Sequence, residues 1–305
     1  MRRLGVHTSI AGGLPKSLER ARALGCSTLQ IFSHNPRSWA LTDIPEEEAR
    51  MFRRLREKLD LDPVFIHACY LVNLTSADPL VREKSLRMLA EEFRRADLIG
   101  ADYVLLHAGQ PAGLPALGQT ASGRTGPGPR SGVPGYESLV KSLKTALGGG
   151  GKRFRAGLLL ENTAFRLQSP GPAASSIKAL ALAAADSGAA GVCLDTCHAF
   201  ASGYDIRTMA DIEEIARQTE GVKIRLIHLN DSKGGIGSGL DRHEHLGRGR
   251  IGLEALRRLL RFGPFKDKPL VLETPKKEAS DDPMNLETAR MLLANNRSQK
   301  EIVSF

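Results

Sequence analysis

Eight short aliphatic runs, separated by segments of helical pattern, constrain this 305-residue sequence more than any other feature. They are Arg3–Val6, Thr28–Phe32, Val64–Ile66, Tyr103–Leu106, Gly157–Leu160, Val192–Leu194, Ile224–Ile227 and Leu270–Leu272. Most are continuously apolar, as expected of parallel strands with helices packed over them. Helical patterns fall at Leu14–Leu24, Pro45–Leu59, Pro79–Ile99, Tyr136–Leu147, Ser175–Ser187, Thr208–Thr219, Leu253–Phe262 and Pro283–Ala294. Apolar spacing marks the first, which stops at Gly25, and Gly100 ends the third. Pro and a Glu run open the second, a favourable first turn. Strict strand–helix alternation predicts a single (β/α)8 TIM barrel over residues 1–305, with its active site at the C-terminal face of the strands. A doubly wound sheet shares the alternation.

The formal net charge is +9, which favours a polyanionic partner such as nucleic acid. No apolar run reaches the roughly 20 residues of a membrane helix. The opening MRRLGVHTSIAGG lacks the long apolar stretch of a signal peptide. A soluble protein of the cytoplasm, reaching the nucleoid through DNA, is the expectation. Cys26, Cys69, Cys193 and Cys197 form no CxxC pair and read as free, mostly buried thiols. Gln110–Gly135 is rich in Gly, Pro, Ser and Arg and reads as a mobile loop after the fourth strand. It contains Arg124 and Arg130 and no acidic residue, and is expected to touch DNA phosphates.

The chemistry collects where the strands end. The third run is followed by His67, the fourth by His107 and the fifth by Glu161. The sixth is followed by Asp195, with His198 three residues on. After the seventh come His228 and, in the loop beyond, Asp241 and His243. Glu273 follows the eighth. A lone His at a strand end is more often structural, and a lone Asp can cap a helix. Nine such residues on one rim cannot all be so explained, because clustered carboxylates repel unless protonated or bound to cations. Imidazole with carboxylate suits zinc or manganese better than magnesium or calcium. At three or four ligands per ion, some bridging, nine ligands fit three ions and leave spare positive charge for a phosphodiester. Cys197 lies between Asp195 and His198 and is expected to point away if those two face inward, so it is excluded as a ligand.

The chain resembles the endonuclease IV family of apurinic/apyrimidinic endonucleases over nearly its whole length. The resemblance rests on GVHTSIAGG (5–13), HNPRSW (34–39), HACYLVNL (67–74), LLLENTA (158–164), CLDTCHAFASGYD (193–205), HLNDSK (228–233), DRHEHLGRGRIG (241–252) and LETP (272–275). It implies three zinc ions, with manganese as a substitute. His67, His107 and Glu161 would hold one; Glu161, Asp195, His228 and Glu273 a second; His198, Asp241 and His243 a third. Glu161 would be the bridging, catalytic carboxylate. The partner implied is double-stranded DNA with abasic sites, cleaved 5′ to the lesion by a monomer in base excision repair, with 3′-end cleaning as a second activity. By the same resemblance Asn35 and Arg37 would enter the minor groove, and Tyr70 and Leu71 would stack at the gap left by a flipped-out nucleotide. Lys233 and Arg242 would meet phosphates. Two stretches depart from the family pattern: the 110–135 insertion, and NTAFRLQSPG (162–171) after Glu161, where a Gly-rich segment is usual.

Two rivals carry different expectations. A sugar isomerase or epimerase on a similar barrel needs fewer metal ligands and a closed pocket. A non-catalytic binder of damaged DNA should have lost a ligand, and none is lost.

Overall fold

The computed structural model describes residues 2–76, 78–107, 136–148, 154–164 and 176–294. The 110–135 insertion and the departure after Ala164 lie outside the described residues. The strands are β1 (Leu4–His7), β2 (Thr28–Phe32), β3 (Val64–His67), β4 (Tyr103–His107), β5 (Gly157–Glu161), β6 (Gly191–Asp195), β7 (Ile224–His228), β8 (Asp231–Ser232), β9 (His243–Glu244) and β10 (Leu270–Leu272). The helices are α1 (Leu14–Ala23), α2 (Glu46–Leu59), α3 (Pro79–Ile99), α4 (Tyr136–Gly148), α5 (Ser176–Ser187), α6 (Thr196–Ala201), α7 (Met209–Gln218), α8 (Leu253–Arg261) and α9 (Asp281–Leu293).

Eight parallel strands close into a barrel in the order β1-β10-β7-β6-β5-β4-β3-β2. Each of the eight aliphatic runs supplies one strand and each expected helical pattern a helix. Local chemistry sets the ends. Asp78 accepts from the Leu80 N–H and Pro79 opens α3, while Gly100 closes it in the left-handed conformation. Glu46, Glu47 and Glu48 stand at the positive end of α2, and Arg56 and Lys58 at its negative end.

Continuous apolar runs arise because both strand faces are buried. Outward residues such as Val6, Ile31, Ile66 and Leu160 join Leu18, Phe52, Leu89, Phe93 and Leu256 of the helices in one core. Inward, Phe65, Leu105, Leu159, Cys193, Leu226 and Val271 form a separate cluster that plugs the barrel. One residue comes from each of β3, β4, β5, β6, β7 and β10. On β1 the corresponding position is Gly5, where a Cβ would meet the Thr28 carbonyl oxygen of β2 at 1.9 Å.

Among the described residues one helix and one hairpin go beyond the alternation. Six-residue α6 follows β6 directly, and β8 pairs antiparallel with β9 at the base of the loop after β7. Both are too short to show the periodicity by which helices and strands are read.

Candidate metal centre

Strand side chains alternate in direction, so the residue two beyond each plug position also faces the barrel axis. Those residues are His67, His107, Glu161, Asp195, His228 and Glu273. The ligand-type layer thus lies one step above an apolar floor. Strand register brings the layer together, with His107 opposite Glu161 and Asp195 opposite His228. Helix α6 begins at once after β6 and turns His198 to the same side as Asp195. The Asp195 carboxylate caps it, accepting from the His198 N–H at 2.7 Å. Asp195 is therefore both a helix cap and a member of the cluster. The β8–β9 hairpin returns the chain to the mouth with Asp241 and His243.

All nine side chains are in mutual reach. Glu161 Oε2 lies 2.9 Å from His107 Nε2 and 3.6 Å from His67 Nε2. Its Oε1 lies 2.9 Å from His228 Nδ1 and 3.4 Å from His198 Nδ1. Glu273 Oε2 is 3.2 Å from His228 Nδ1. Asp241 Oδ1 is 3.0 Å from His198 Nε2 and 3.7 Å from His243 Nε2, and Asp195 Oδ2 is 3.6 Å from the latter. Four groups in this cluster have ligand atoms within 4.8 Å of one another and could hold a metal ion: His67 with His107 and Glu161; Glu161 with Asp195, His228 and Glu273; Asp195 with His198 and His243; and Glu161 with Cys193 and His228.

The donor atoms fit cations. Glu161 Oε2 and His243 Nε2 are buried and have no hydrogen-bond partner, although charged and polar groups crowd them. The far nitrogens agree. His67 Nδ1 meets the Ala68 carbonyl at 2.7 Å, His198 Nδ1 that of Asn162 at 3.0 Å, and His243 Nδ1 that of Glu273 at 3.0 Å. His228 Nε2 meets the amide oxygen of Gln30 at 2.8 Å. An oxygen acceptor needs an N–H, so each neutral ring leaves its other nitrogen as a lone pair toward the centre.

Electrostatics show what the cluster does with protons alone. Burial pushes Glu161 and Glu273 upward, yet the imidazoles, His107 and His228 for Glu161 and His228 for Glu273, outweigh it and hold both well below the usual carboxylate range. Burial pulls His198 and His228 down. At His198 the carboxylates of Asp195 and Asp241 win, at His228 the Cys193 sulfur together with the carboxylates of Glu161 and Glu273, and both rings stand well above the usual histidine value. Imidazolium charge stands in for metal charge.

Several participants were not singled out in the sequence. Gln30 donates to Glu273 Oε1 at 2.6 Å with the same amide that accepts from His228, and its nitrogen lies 3.0 Å from His7 Nδ1. Asn162 clamps the Asp195 backbone through both N–H and C=O. Asn230 donates to Asp195 Oδ2 at 2.7 Å and accepts from the Glu273 N–H. Asp231 accepts from the Gly247 and Ile251 N–H groups and shapes the LGRGRIG loop, in which a Cβ at Gly249 would meet its Oδ1 at 2.4 Å. Asn162, Asn230 and Asp231 each follow a ligand-type residue closely in the motifs, which was the available signal. Cys197 turns its thiol to the Arg242 carbonyl, away from the cluster.

The candidate DNA-contacting residues ring this mouth. Tyr70 is 61% exposed and stands edge-on to Phe32, 6.2 Å from the His67 ring. Its N–H donates to the Pro36 carbonyl at 3.1 Å, joining its loop to HNPRSW. Leu71 is half-buried against the core. Asn35 and Arg37 are exposed, and the Asn35 side chain accepts from the Arg37 N–H. Lys233 and Arg242 are exposed where the hairpin closes, linked by a Lys233 N–H to Arg242 C=O bond of 2.9 Å. Among the described residues no helix is long and apolar enough to cross a membrane.

Comparison with known proteins gives this geometry a lineage. The family model for the xylose isomerase-like TIM barrel matches residues 18–295. The chain is 37% identical to "Probable endonuclease 4" of Methanoculleus marisnigri, across 95% of this chain and 98% of the relative. It is 35% identical to "Probable endonuclease 4" of Halothermothrix orenii, across 93% and 97%. Endonuclease IV from Thermus thermophilus superposes with a TM-score of 0.79 at 36% identity, covering 95% of this chain and 98% of that one. A shared barrel, shared sequence along nearly the whole chain and a rim of nine ligand-type side chains lead to one assignment: the chain belongs to the endonuclease IV family.

Proposed function

We propose that this chain is a DNA-repair endonuclease that hydrolyses the phosphodiester 5′ to an abasic site. It leaves a 3′-hydroxyl, cleans blocked 3′ ends and works as a monomeric single barrel. The observation that carries the reading is the ring of histidines whose far nitrogens are fixed on oxygen acceptors, around a carboxylate with an orphaned buried oxygen. Three zinc ions fit this donor set, with manganese as substitute. His67, His107 and Glu161 would hold the first; Glu161, Asp195, His228 and Glu273 the second; His198, Asp241 and His243 the third. Bound there, the ions supply positive charge to the phosphate and acidity to a water at neutral pH.

The remaining work falls to the chain itself. Glu161 offers two anionic oxygens on opposite sides, one toward His67 and His107 and one toward His228 and His198. Gln30, Asn162 and Asn230 hold the ligands in fixed orientations before substrate arrives. The apolar plug seals the cluster from below. Lys233 and Arg242 meet phosphates along the duplex. Asn35 and Arg37 probe the minor groove, and Tyr70 and Leu71 fill the gap of the missing base. An abasic nucleotide has lost its stacking, so it leaves the helix at lower cost than an intact one.

The test is a duplex with one abasic-site analogue, incubated with purified protein with and without chelator. A single nick 5′ to the lesion, abolished by chelation and restored by zinc, is expected, together with about three metal ions per chain. Absence of cleavage by protein carrying its full metal content would overturn the reading.

A further inference from the structure

A second group of ligand-type side chains lies behind the DNA-facing loops, outside the nine. His34 follows β2, Cys69 stands two residues past His67, and Glu92 projects inward from α3. Their relative exposures are 5%, 3% and 1%. A ring nitrogen of His34, the Cys69 thiol and a carboxylate oxygen of Glu92 all lie within 4.8 Å of one another. His34 Nε2 is 2.9 Å from Glu92 Oε1. Ser33 Oγ donates to Glu92 Oε2 at 2.6 Å and accepts from Arg95 Nε at 2.8 Å. His34 Nδ1 is buried and makes no hydrogen bond of ordinary geometry.

Pairing alone leaves this group poorly satisfied. A neutral His34 that donates to Glu92 buries an unused lone pair. A protonated one can turn its other N–H only toward the Cys69 sulfur, a weak acceptor. A buried polar group left unmet costs about 1–3 kcal/mol. A divalent cation removes the deficit by taking up a lone pair. Thiolate and carboxylate together would neutralise the ion itself, with the buried Arg95 guanidinium behind Ser33 adding one positive charge outside the ligand set. The spacing repeats that of the main cluster, where imidazole and carboxylate also approach at 2.9 Å. Thiolate with imidazole and carboxylate is a zinc-type donor set, and the thiolate disfavours magnesium and calcium.

We propose that His34, Cys69 and Glu92 form a separate structural metal site for a zinc-type ion. The Cys69 thiol releases its proton to solvent when the ion binds. Enclosure makes the site structural, since all three side chains are buried away from substrate. It would fasten the loop carrying Asn35 and Arg37 and the loop carrying Tyr70 to α3, the same two loops that the Tyr70–Pro36 backbone bond already joins. The proposal does not depend on what the main cluster catalyses.

Cobalt(II) substitution of the full-length protein tests it. The nine main-cluster residues offer only nitrogen and oxygen, so a thiolate-to-cobalt charge-transfer band reports a cysteine ligand. The wild-type protein is expected to show that band. Cys69→Ser should abolish it and lower cobalt content by about one ion per chain, leaving the rest in place. Cys193→Ser should keep the band, although Cys193 lies beside Glu161 and His228. No band in the wild-type protein, or its loss in Cys193→Ser, would overturn the proposal. If Cys69→Ser fails to fold, the wild-type and Cys193→Ser spectra still decide.

Discussion

Two layers of the barrel interior, two residues apart on the same six strands, are built from opposite chemistry. The lower is Phe65, Leu105, Leu159, Cys193, Leu226 and Val271. The upper is His67, His107, Glu161, Asp195, His228 and Glu273. Both point inward and both are largely removed from water. Burial has its plain effect in the lower layer, where the Cys193 thiol is pushed up to about 12. In the upper layer burial pushes the same way on the carboxylates and loses to neighbouring imidazoles. The difference teaches that position in the barrel does not set ionisation. Company does, and the upper layer holds charge because its members compensate one another.

The division of labour predicts separable effects. Glu161→Gln should lower abasic-site cleavage by about a hundredfold or more, because an amide offers one neutral acceptor in place of two anionic oxygens. Stability of the folded chain to urea should hold. Cleavage at near wild-type rate with full metal content would break the contrast at its most demanding point.

Leu159→Ala makes the complementary cut. Removing a fully buried plug residue should cost about 2–5 kcal/mol in urea unfolding. Metal content and cleavage by the protein that remains folded should change little. If metal content falls while stability holds, the layers are not independent.

Gln30→Ala sharpens the boundary between ligands and their supports. Gln30 is no ligand candidate, yet it holds both His228 and Glu273. Metal affinity should fall by about ten- to a hundredfold with the ligand set intact. A competition titration with a chromophoric chelator measures it, and an unchanged affinity would remove Gln30 from the site.

The smallest effect is a count of protons. His198 is held well above the usual histidine value by Asp195 and Asp241, and His228 by Cys193, Glu161 and Glu273, which favours the charged rings before metal binds. Metal ions need neutral imidazole. Adding zinc to apoprotein in weakly buffered solution should release about two protons per chain from the main cluster, and affinity should rise with pH. Zinc uptake with no proton release would mean that the ligands are already deprotonated in the apoprotein and would break the predicted charging of His198 and His228.

Much of the main cluster was legible from residue order because a strand end is a local feature. His67, His107, Glu161, His228 and Glu273 each follow an aliphatic run, and alternation alone sends them inward. Asp241 and His243 were legible as metal-capable residues in the loop after the seventh strand, but a loop has no period, so their direction was not. Gln30 was not legible. It sits inside β2, where a polar residue in an apolar run looks like a flaw in the pattern until β1, β7 and β10 close around it. His34 and Cys69 lay in quoted motifs, but Glu92 lies on a long helix far along the chain, and nothing local links the three.

Residue order carries the eight barrel strands and the helices between them, the face on which each strand-end side chain emerges and the metal-capable character of the rim. All of these follow from periodicity and residue type, which are properties of neighbouring positions. Packing in three dimensions sets which nitrogen of His67, His198, His228 and His243 meets its oxygen acceptor, makes Asp195 both cap α6 and join the cluster, and brings His34, Cys69 and Glu92 together. Those depend on barrel closure, which sets distances between strands and helices far apart in the chain, and no period in the sequence encodes such a distance.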